Sequence, residues 1–484
     1  MTLSWRARVA LFAGHGARLA TRWLRRGGGT ALPGLVAGTI APRLIEELVS
    51  DRRYDTLTVT GTNGKTTTTH LLVTILKEAG FDPLTNYAGS NLERGLITAY
   101  LSDMTDKKDP GQNQTQFAVF EVDEANLPSL LPRLQPRLVT FLNLFRDQLD
   151  RYGEVDSVMG GWQEMLAGDS APSHLVLNVD DPVIARFDEF NSAGTGIVED
   201  DKQSVTTYGV DDQAIGLQLR EHARDARFCP RGKRYEYDAI YMGHVGIWHC
   251  DCCESRRPDP DVSARKVVLE SSRSLVTFSI AGHQMDFELP LPGLYMVYNA
   301  LAAAASAHAL GVTPEAIVRG LSQAEAPFGR QERFVFEDKA VRVLLAKNPA
   351  GLNEVIRILN STDGRLTVLA MLNDGVQDGQ DVSWIYDAEI ELLADYKPIV
   401  IVSGSRAHDM ALRFSIAGID PDRIEPDIEV ALDIALENVK PGEQLDVVAT
   451  YTAMIDIREV LARRAGVASY WERPERRLSV RGKS

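Results

Sequence analysis

The sequence predicts an α/β protein, built on mostly parallel sheets with flanking helices and divided into more than one domain. Three observations lead there. Short apolar strand-like runs alternate with amphipathic helical stretches, first from Leu57 onward and again after Arg333. A glycine-rich loop ending in Lys65 stands where a strand hands over to a helix. The chain has 484 residues, more than one core of ordinary size accommodates.

Composition narrows the class. A hydrophobic share of 44% and a charged share of 25% belong to a globular chain rather than a disordered one. The net charge of -15 argues against a general nucleic-acid binder, whose affinity comes from neutralising phosphates. No apolar run approaches the roughly 18–20 residues that span a bilayer, so no transmembrane segment is expected. The N-terminus lacks the apolar stretch and cleavage site of a signal peptide. A cytoplasmic location is the expectation.

Residues 1–45 read as a basic N-terminal helical segment. Its first 30 residues hold Arg6, Arg8, Arg18, Arg22, Arg25 and Arg26 and no acid. On a helix, Trp5, Val9, Phe12, Leu19 and Trp23 fall near one face. Two readings stay open, a helix packed on the body of the protein and a basic amphipathic helix resting on an anionic membrane surface. Gly27-Gly28-Gly29 and Pro33-Gly34 then break the pattern.

Residues 46–333 read as the first α/β domain. Leu57–Thr60 is a strand, and Thr67–Ala79 a helix closed by Gly80 as C-cap. Phe117–Val122, Leu138–Asn143 and His174–Asn178 are short apolar strands. Residues 205–290 change character to short β-like pieces, aromatic residues and turns, with an insertion at about 222–260 that carries all four cysteines. An alanine-rich helix, Asn299–Leu310, ends at Gly311. Residues 334–484 read as a second α/β domain, with strands at Val341–Ala346, Leu366–Leu372, Pro398–Val402 and Gln444–Ala449.

The loop Thr60-Gly61-Thr62-Asn63-Gly64-Lys65-Thr66-Thr67 has what a phosphate binder needs. Such a site needs inward backbone N–H groups, a following helix N-terminus and a lysine for the outer phosphates. Gly61 and Gly64 allow the tight turn, Lys65 reaches the terminal phosphates and Thr66 offers a hydroxyl to Mg²⁺. The generic Walker pattern fails, because Val59 stands where its first glycine belongs. Mg²⁺ also wants hard oxygen ligands. The strand Phe117–Val122 runs into Glu121-Val122-Asp123-Glu124, and carboxylates at the C-terminal end of a parallel strand face the ligand crevice, so Glu121 is the expected second ligand. The cysteines Cys229, Cys250, Cys252 and Cys253 lie within 25 residues of one another. A cytoplasmic chain seldom makes disulfides, so a metal is their expected use.

Taken together, the loop resembles the ATP loop of the Mur ligase and folylpolyglutamate synthase superfamily. Four further segments resemble that superfamily in the same order. They are Glu121, the segment Asn178-Val179-Asp180-Asp181-Pro182, the helix opening Asn299-Ala300-Leu301-Ala302-Ala303, and Gly329-Arg330-Gln331-Glu332-Arg333. The resemblance implies that Glu121 binds Mg²⁺ with Thr66, that Asn299 touches adenine and that Arg330 approaches the phosphates. Segments 143–154, Ala346–Gly351 and Asp378–Asp387 are similar to the MurT family, the ligase subunits of lipid II isoglutaminyl synthase. That similarity covers nearly the whole chain from about residue 30. It implies the fold, a Mur ligase central domain with a zinc-ribbon-like insertion and a C-terminal Rossmann-like domain that docks a partner. It implies the reaction, ATP-dependent amidation of the α-carboxylate of D-glutamate in the lipid II stem peptide through an acyl phosphate. It also implies a GatD-type glutaminase partner that supplies ammonia, with Asp381 completing that partner's catalytic site. The same aspartate would otherwise serve only as the cap of a helix starting near Ser383.

The residues add their own argument about ammonia. A glutaminase of the amidotransferase type needs a nucleophilic cysteine, and every cysteine here lies in the 229–253 cluster. Two features depart from the resemblance. Amino-acid-adding Mur ligases carry a carbamylated lysine after the magnesium glutamate, and no lysine occurs between Lys108 and Lys202. The ribbon of MurT proteins opens Cys-x-x-Cys, whereas this chain has Cys229-Pro230-Arg231-Gly232 followed by Cys250-Asp251-Cys252-Cys253. Four thiolates, or three with His244 or His249, could hold structural Zn²⁺; a metal-free ribbon held by packing is the other possibility. An amino-acid-adding or folylpolyglutamate-type ligase, or a non-catalytic ATP-binding scaffold, are the rival functions.

Overall fold

A computed structural model describes residues 3–24, 31–50, 54–86, 90–106, 116–147, 155–168, 171–187, 204–217, 225–325, 331–336, 338–361 and 364–467. Expectations for Arg330, Gly329, Arg25 and Arg26, and for the latter half of the 143–154 segment, lie outside these residues, as do the side chains of Arg22 and Trp23. Two compact units divide the chain, Met1–Glu325 and Ala326–Ser484. The second begins ahead of the expected position 334 because the strand Glu332–Phe336 pairs with Lys339–Leu345. The N-terminal segment belongs to the first unit.

In the first unit the strands are β1 (Tyr54–Thr60), β2 (Leu84–Thr85), β3 (Gln116–Glu121), β4 (Leu138–Phe141), β5 (His174–Asn178), β6 (Ser204–Val210), β7 (Glu236–Met242), β8 (Val245–Cys250), β9 (Ser255–Arg256), β10 (Val262–Leu269), β11 (Ser274–Ile280) and β12 (His283–Leu289). Nine of them form one sheet in the order β12-β11-β10-β6-β5-β4-β1-β3-β2. The run from β10 through β6, β5, β4, β1 and β3 to β2 is parallel, and β11 and β12 close the edge antiparallel. Strands buried on both faces need continuous apolar runs, and β4 (Leu-Val-Thr-Phe) is buried at all four positions. The remaining strands form a separate antiparallel sheet, β7-β8-β9, in the region of the cysteines.

The helix Lys65–Glu78 starts two residues before its expected position, because the left-handed Gly64 turns the chain straight into it. The alanine-rich helix runs Leu294–Ala309, starting at Gly293 rather than Asn299. Its alanines let it lie close against the helix Lys65–Glu78, so Asn299 sits mid-helix beside the phosphate loop.

The N-terminal helix, Trp5–Leu24, packs on the body through small residues with Leu11 partly buried beside them, and not through Trp5, Val9, Phe12 or Leu19. Ala7, Ala10 and Gly14 form the buried face, while Trp5, Val9, Phe12 and Leu19 are exposed. Small residues allow the close approach: a Cβ on Gly14 would lie 3.2 Å from Ala37 Cβ.

The second unit has a six-stranded sheet of β13 (Glu332–Phe336), β14 (Lys339–Leu345), β15 (Thr367–Met371), β16 (Ile399–Ser403), β17 (Arg423–Ile424) and β18 (Gln444–Ala449), in the order β13-β14-β18-β15-β16-β17. All its pairings are parallel except β13 with β14. Helices Ile428–Glu437 and Tyr451–Ala465 cover a core of Val343, Leu369, Ile401, Leu432, Val447 and Ile457.

Candidate active site and cysteine centre

Parallel order puts the C-terminal ends of β5, β4, β1 and β3 side by side on one sheet edge, where ligands bind in open α/β sheets. Thr60 leads from β1 into the phosphate loop, Glu121 ends β3, Asn143 follows β4 and Asn178 ends β5. Sequence-distant segments therefore meet by strand order alone.

Two left-handed glycines shape the loop, Gly61 at φ 137 and Gly64 at φ 90. A Cβ on Gly61 would approach Asn143 O to 2.9 Å, and one on Gly64 would approach Asn299 Oδ1 to 2.1 Å. The segment after β4 braces the loop from behind. Thr62 N donates to Asn143 O (3.0 Å) and Asn63 N to Asn143 Oδ1 (2.9 Å), while Asn143 Nδ2 donates to Asn63 O (3.1 Å). Thr62 Oγ1 donates to Phe145 O and accepts from Phe145 N. Thr66 and Thr67 occupy the first turn of the helix, Thr66 half-exposed and Thr67 buried.

Lys65 is buried. Its Nζ donates to Glu124 Oε2 at 2.6 Å and to the carbonyls of Gly61 and Thr62 at 2.5 and 3.2 Å. Burial by itself lowers an ammonium pKa; Glu124, then Glu121 and Asp123, outweigh it and hold Lys65 above its ordinary value. Glu124 is itself buried, and its carbonyl accepts from Trp162 Nε1 at 2.8 Å. Glu121 is half-buried, and its backbone is clamped on both sides by Asn86, with Nδ2 to Glu121 O and Glu121 N to Oδ1 both at 2.9 Å. One carboxylate, Glu124, pairs with the ammonium, and Glu121 and Asp123 add negative charge nearby, so Glu121 keeps hard oxygens that suit Mg²⁺. Glu124, Asn143 and Asn86 were not singled out individually from the sequence. The only hint was the acidic run after β3, and the asparagines acquire their roles by folding alone.

Asn299 is buried against this loop, with Thr68 Oγ1 donating to its Oδ1 at 3.3 Å. The Asn178–Pro182 segment is a buried brace. Asp180 accepts from Arg257 Nε (2.6 Å), Val210 N (2.7 Å) and Tyr298 OH (2.6 Å). Asp181 accepts from Leu144 N (3.1 Å) and lies 3.3 Å from His244 Nε2, whose ring packs 4.6 Å from that of Phe145. The hairpin β7–β8 is in this way tied to the segment behind the loop.

The four cysteine Sγ atoms lie within 4.8 Å of one another. Cys252 Sγ is 3.3 Å from Cys229 Sγ and 3.5 Å from each of Cys250 and Cys253. Four thiolates around tetrahedral Zn²⁺ stand about 3.8 Å apart, so the soft donor set and its spacing fit that ion. The adjacent Cys252 and Cys253 do point to one centre despite the lost first knuckle. Neither histidine joins them: His244 faces Asp181, and His249 lies 3.7 Å from Glu236 and 3.9 Å from Asp238. Burial raises the Cys229 thiol, but hydrogen bonds from Cys252, Cys253 and the Lys233 and Arg231 backbone bring it down to about 6. The bond to Cys229 pushes Cys252 up to about 12.

In the second unit Asp381 is exposed and accepts from Ser383 N at 2.8 Å, two residues on and just ahead of the short 3₁₀ turn Ser383–Asp387, whose N-cap is Val382. Hydrogen bonds from the Ser383 side chain and backbone hold its carboxyl below the ordinary range. Buried Asp378 anchors the same segment by accepting from Thr452 N at 2.9 Å and from Thr452 Oγ1.

Comparison with known proteins agrees with this architecture. Residues 59–247 match the model of the Mur ligase middle domain, and residues 345–454 match that of the MurT ligase C-terminal domain. The MurT subunit of lipid II isoglutaminyl synthase (glutamine-hydrolyzing) from Streptococcus pneumoniae is 33% identical over 446 residues, covering 91% of this chain and 94% of that one. Its counterpart from Staphylococcus aureus (strain COL) is 31% identical over 425 residues, covering 86% and 90%. Among solved structures, a pseudomurein peptide ligase type C from Methanothermus fervidus superposes with a TM-score of 0.64 at 21% identity, covering 87% of this chain and 81% of that one. The chain belongs to the MurT family of ATP-dependent, Mur-type ligases.

Proposed function

We propose that the chain amidates the α-carboxylate of D-glutamate in the lipid II stem peptide, using ATP and ammonia released by a GatD-type glutaminase partner. The observation that carries the chemistry is the buried Lys65 inside the loop, paired with Glu124 at the sheet edge where Glu121 ends its strand. An oxide cannot leave a carboxylate. A carboxylate oxygen therefore attacks the γ-phosphorus, and ADP departs with the electrons of the broken P–O bond. Ammonia adds to the carbonyl carbon of the acyl phosphate, the C–O bond breaks, inorganic phosphate leaves and nitrogen gives up a proton.

Catalysis here is positioning and charge neutralisation. The loop backbone and Lys65 hold the β- and γ-phosphates, and Asn299, buried beside the loop, would serve the nucleotide; the resemblance of the 329–333 segment assigns Arg330 a role at the phosphates. Thr66 and Glu121 would hold Mg²⁺, which supplies charge neutralisation at the phosphates. Cys229, Cys250, Cys252 and Cys253 would hold Zn²⁺ as a structural brace of the insertion. Asp381, exposed on the second unit, completes the catalytic site of the docked glutaminase. The relatives' name as a glutamine-hydrolysing subunit supports a partner, as does the confinement of all four cysteines to one metal-like cluster.

The test incubates the purified chain with lipid II, ATP, Mg²⁺ and either ammonium or glutamine, with and without the glutaminase, and reads product by mass spectrometry. Amidated lipid II is expected with ammonium alone, and with glutamine only when the glutaminase is present. ATP hydrolysis without amidated product, or addition of an amino acid instead, overturns the proposal.

A further inference from the structure

The helix Trp5–Leu24 is mounted in reverse. An ordinary amphipathic surface helix turns its large apolar side chains inward. This one is attached chiefly by its smallest residues, with Leu11 partly buried beside them. Ala7 and Ala10 are fully buried, and a Cβ on Gly14 would meet Leu101 Cδ1 at 2.8 Å and Pro33 O at 3.1 Å. Ser4 fixes the start of the helix, its N and Oγ each donating to Glu47 at 2.8 Å. At about 100° per residue, Trp5, Val9, Phe12 and Leu19 fall within about 40° of one direction, opposite Gly14. Trp5 is 71% exposed, Val9 50%, Phe12 83% and Leu19 55%. These four large apolar side chains form an outward stripe.

Charge identifies the occupant. Arg6 and Arg8 are exposed, and the same spacing places them on either side of the stripe. The first 30 residues hold six arginines and no acid, and removing these six from the net -15 leaves -21 on the rest of the chain. A second copy docked through this face would set arginines against arginines. An anionic lipid surface attracts the arginines, accepts the apolar stripe between its acyl chains and repels the acidic remainder, so it also orients the molecule.

We propose that the helix Trp5–Leu24 is an interfacial anchor that docks the protein on anionic phospholipid, with Trp5, Val9, Phe12 and Leu19 inserted and Arg6 and Arg8 at the headgroup phosphates. No helix among the described residues is long and apolar enough to cross a membrane, so this is a surface contact. The inference does not depend on the proposed reaction, because the test contains no substrate.

The test is co-sedimentation of the full chain with vesicles of phosphatidylcholine, alone or mixed with phosphatidylglycerol. Binding to the mixed vesicles is expected to exceed binding to the neutral ones by about tenfold or more and to weaken with salt. Trp5→Ala/Phe12→Ala and Arg6→Glu/Arg8→Glu are each expected to lose about tenfold while keeping the wild-type unfolding midpoint, since the four side chains are exposed. Equal binding to both vesicle types, or wild-type binding by the folded variants, overturns the proposal. So does a lipid-free dimer that Trp5→Ala/Phe12→Ala dissociates, which would assign the stripe to a second copy.

Discussion

Replacing Gly64 by alanine probes the tightest contact at the candidate site, that between the phosphate loop and the helix Leu294–Ala309. Gly64 has φ 90, a conformation that costs an alanine about 1–3 kcal/mol. The new Cβ would stand 2.1 Å from Asn299 Oδ1 and 3.1 Å from its Cγ. Relief requires the buried amide to move by more than about 1 Å toward ordinary contact, with overpacking costs of about 1–3 kcal/mol. The movement also breaks the bond from Thr68 Oγ1, which contributes about 1 kcal/mol. Gly64→Ala should therefore destabilise the first unit by roughly 3–7 kcal/mol. Asn299→Ala alone loses the Thr68 bond and a small volume, about 1–2 kcal/mol. In the double variant the clash has gone, and the backbone strain, the small cavity and the lost Thr68 bond remain. The two changes should couple favourably, by about 2–4 kcal/mol relative to additivity, the clash plus the Thr68 bond that each single variant loses. Urea unfolding followed by tryptophan fluorescence on the wild type, both single variants and the double variant measures this. Additivity within about 0.5 kcal/mol would refute the packing of Asn299 on the loop.

Glu124→Gln keeps the shape but leaves Lys65 with only carbonyl and amide partners, and should cost about 2–3 kcal/mol in urea unfolding, below the range for a buried pair broken outright. The sign of its pH dependence follows from Lys65. The folded pKa lies above the ordinary 10.5, so the pair's contribution is fully present below that value and fades as pH rises through the folded pKa. The difference between wild type and Glu124→Gln should thus be flat in the neutral range and shrink only above about pH 10.5; a difference that shrinks on acidification from pH 9 to 7 contradicts the ion pair. Asp381→Asn keeps a side-chain oxygen that can accept from Ser383 N, so the local turn should persist. It should leave ammonium-fed amidation intact and abolish glutamine-fed amidation with the partner; equal loss of both would reduce Asp381 to its structural role. The protein purified without chelator should carry one Zn²⁺ per chain by elemental analysis, and Cys229→Ser or Cys253→Ser should each lose it and lower the thermal midpoint. Wild-type stability in a metal-free Cys253→Ser variant would leave packing as what holds the ribbon.

Legibility followed the range over which each signal acts. The strands His174–Asn178 and Gln444–Ala449 could be read residue for residue, because an apolar run bounded by turn residues is a local pattern. The phosphate loop was equally plain, since its glycines, lysine and threonines are contiguous. Helix starts were harder. Lys65–Glu78 and Leu294–Ala309 both begin before the expected residue, at glycines whose positive φ no propensity argument anticipates. The N-terminal helix defied its pattern: periodicity identified an apolar face, but the helix meets the body through Ala7, Ala10 and Gly14 with Leu11 partly buried, so Trp5, Val9, Phe12 and Leu19 were left outside.

Sequence alone determined the α/β class, the phosphate loop, the clustering of four cysteines and the exclusion of a carbamylated lysine between residues 108 and 202. These depend on residue types at short spacing, which no later folding alters. Tertiary structure decided the rest. Parallel strand order set Glu124 on Lys65 and Asn143 behind the loop, and the turn at Cys250–Cys253 gathered all four sulfurs within 4.8 Å although one cysteine knuckle is missing. It also chose which face of the first helix meets solvent. Each of these is a meeting of residues far apart in the chain, or a choice between two faces, and only packing makes it.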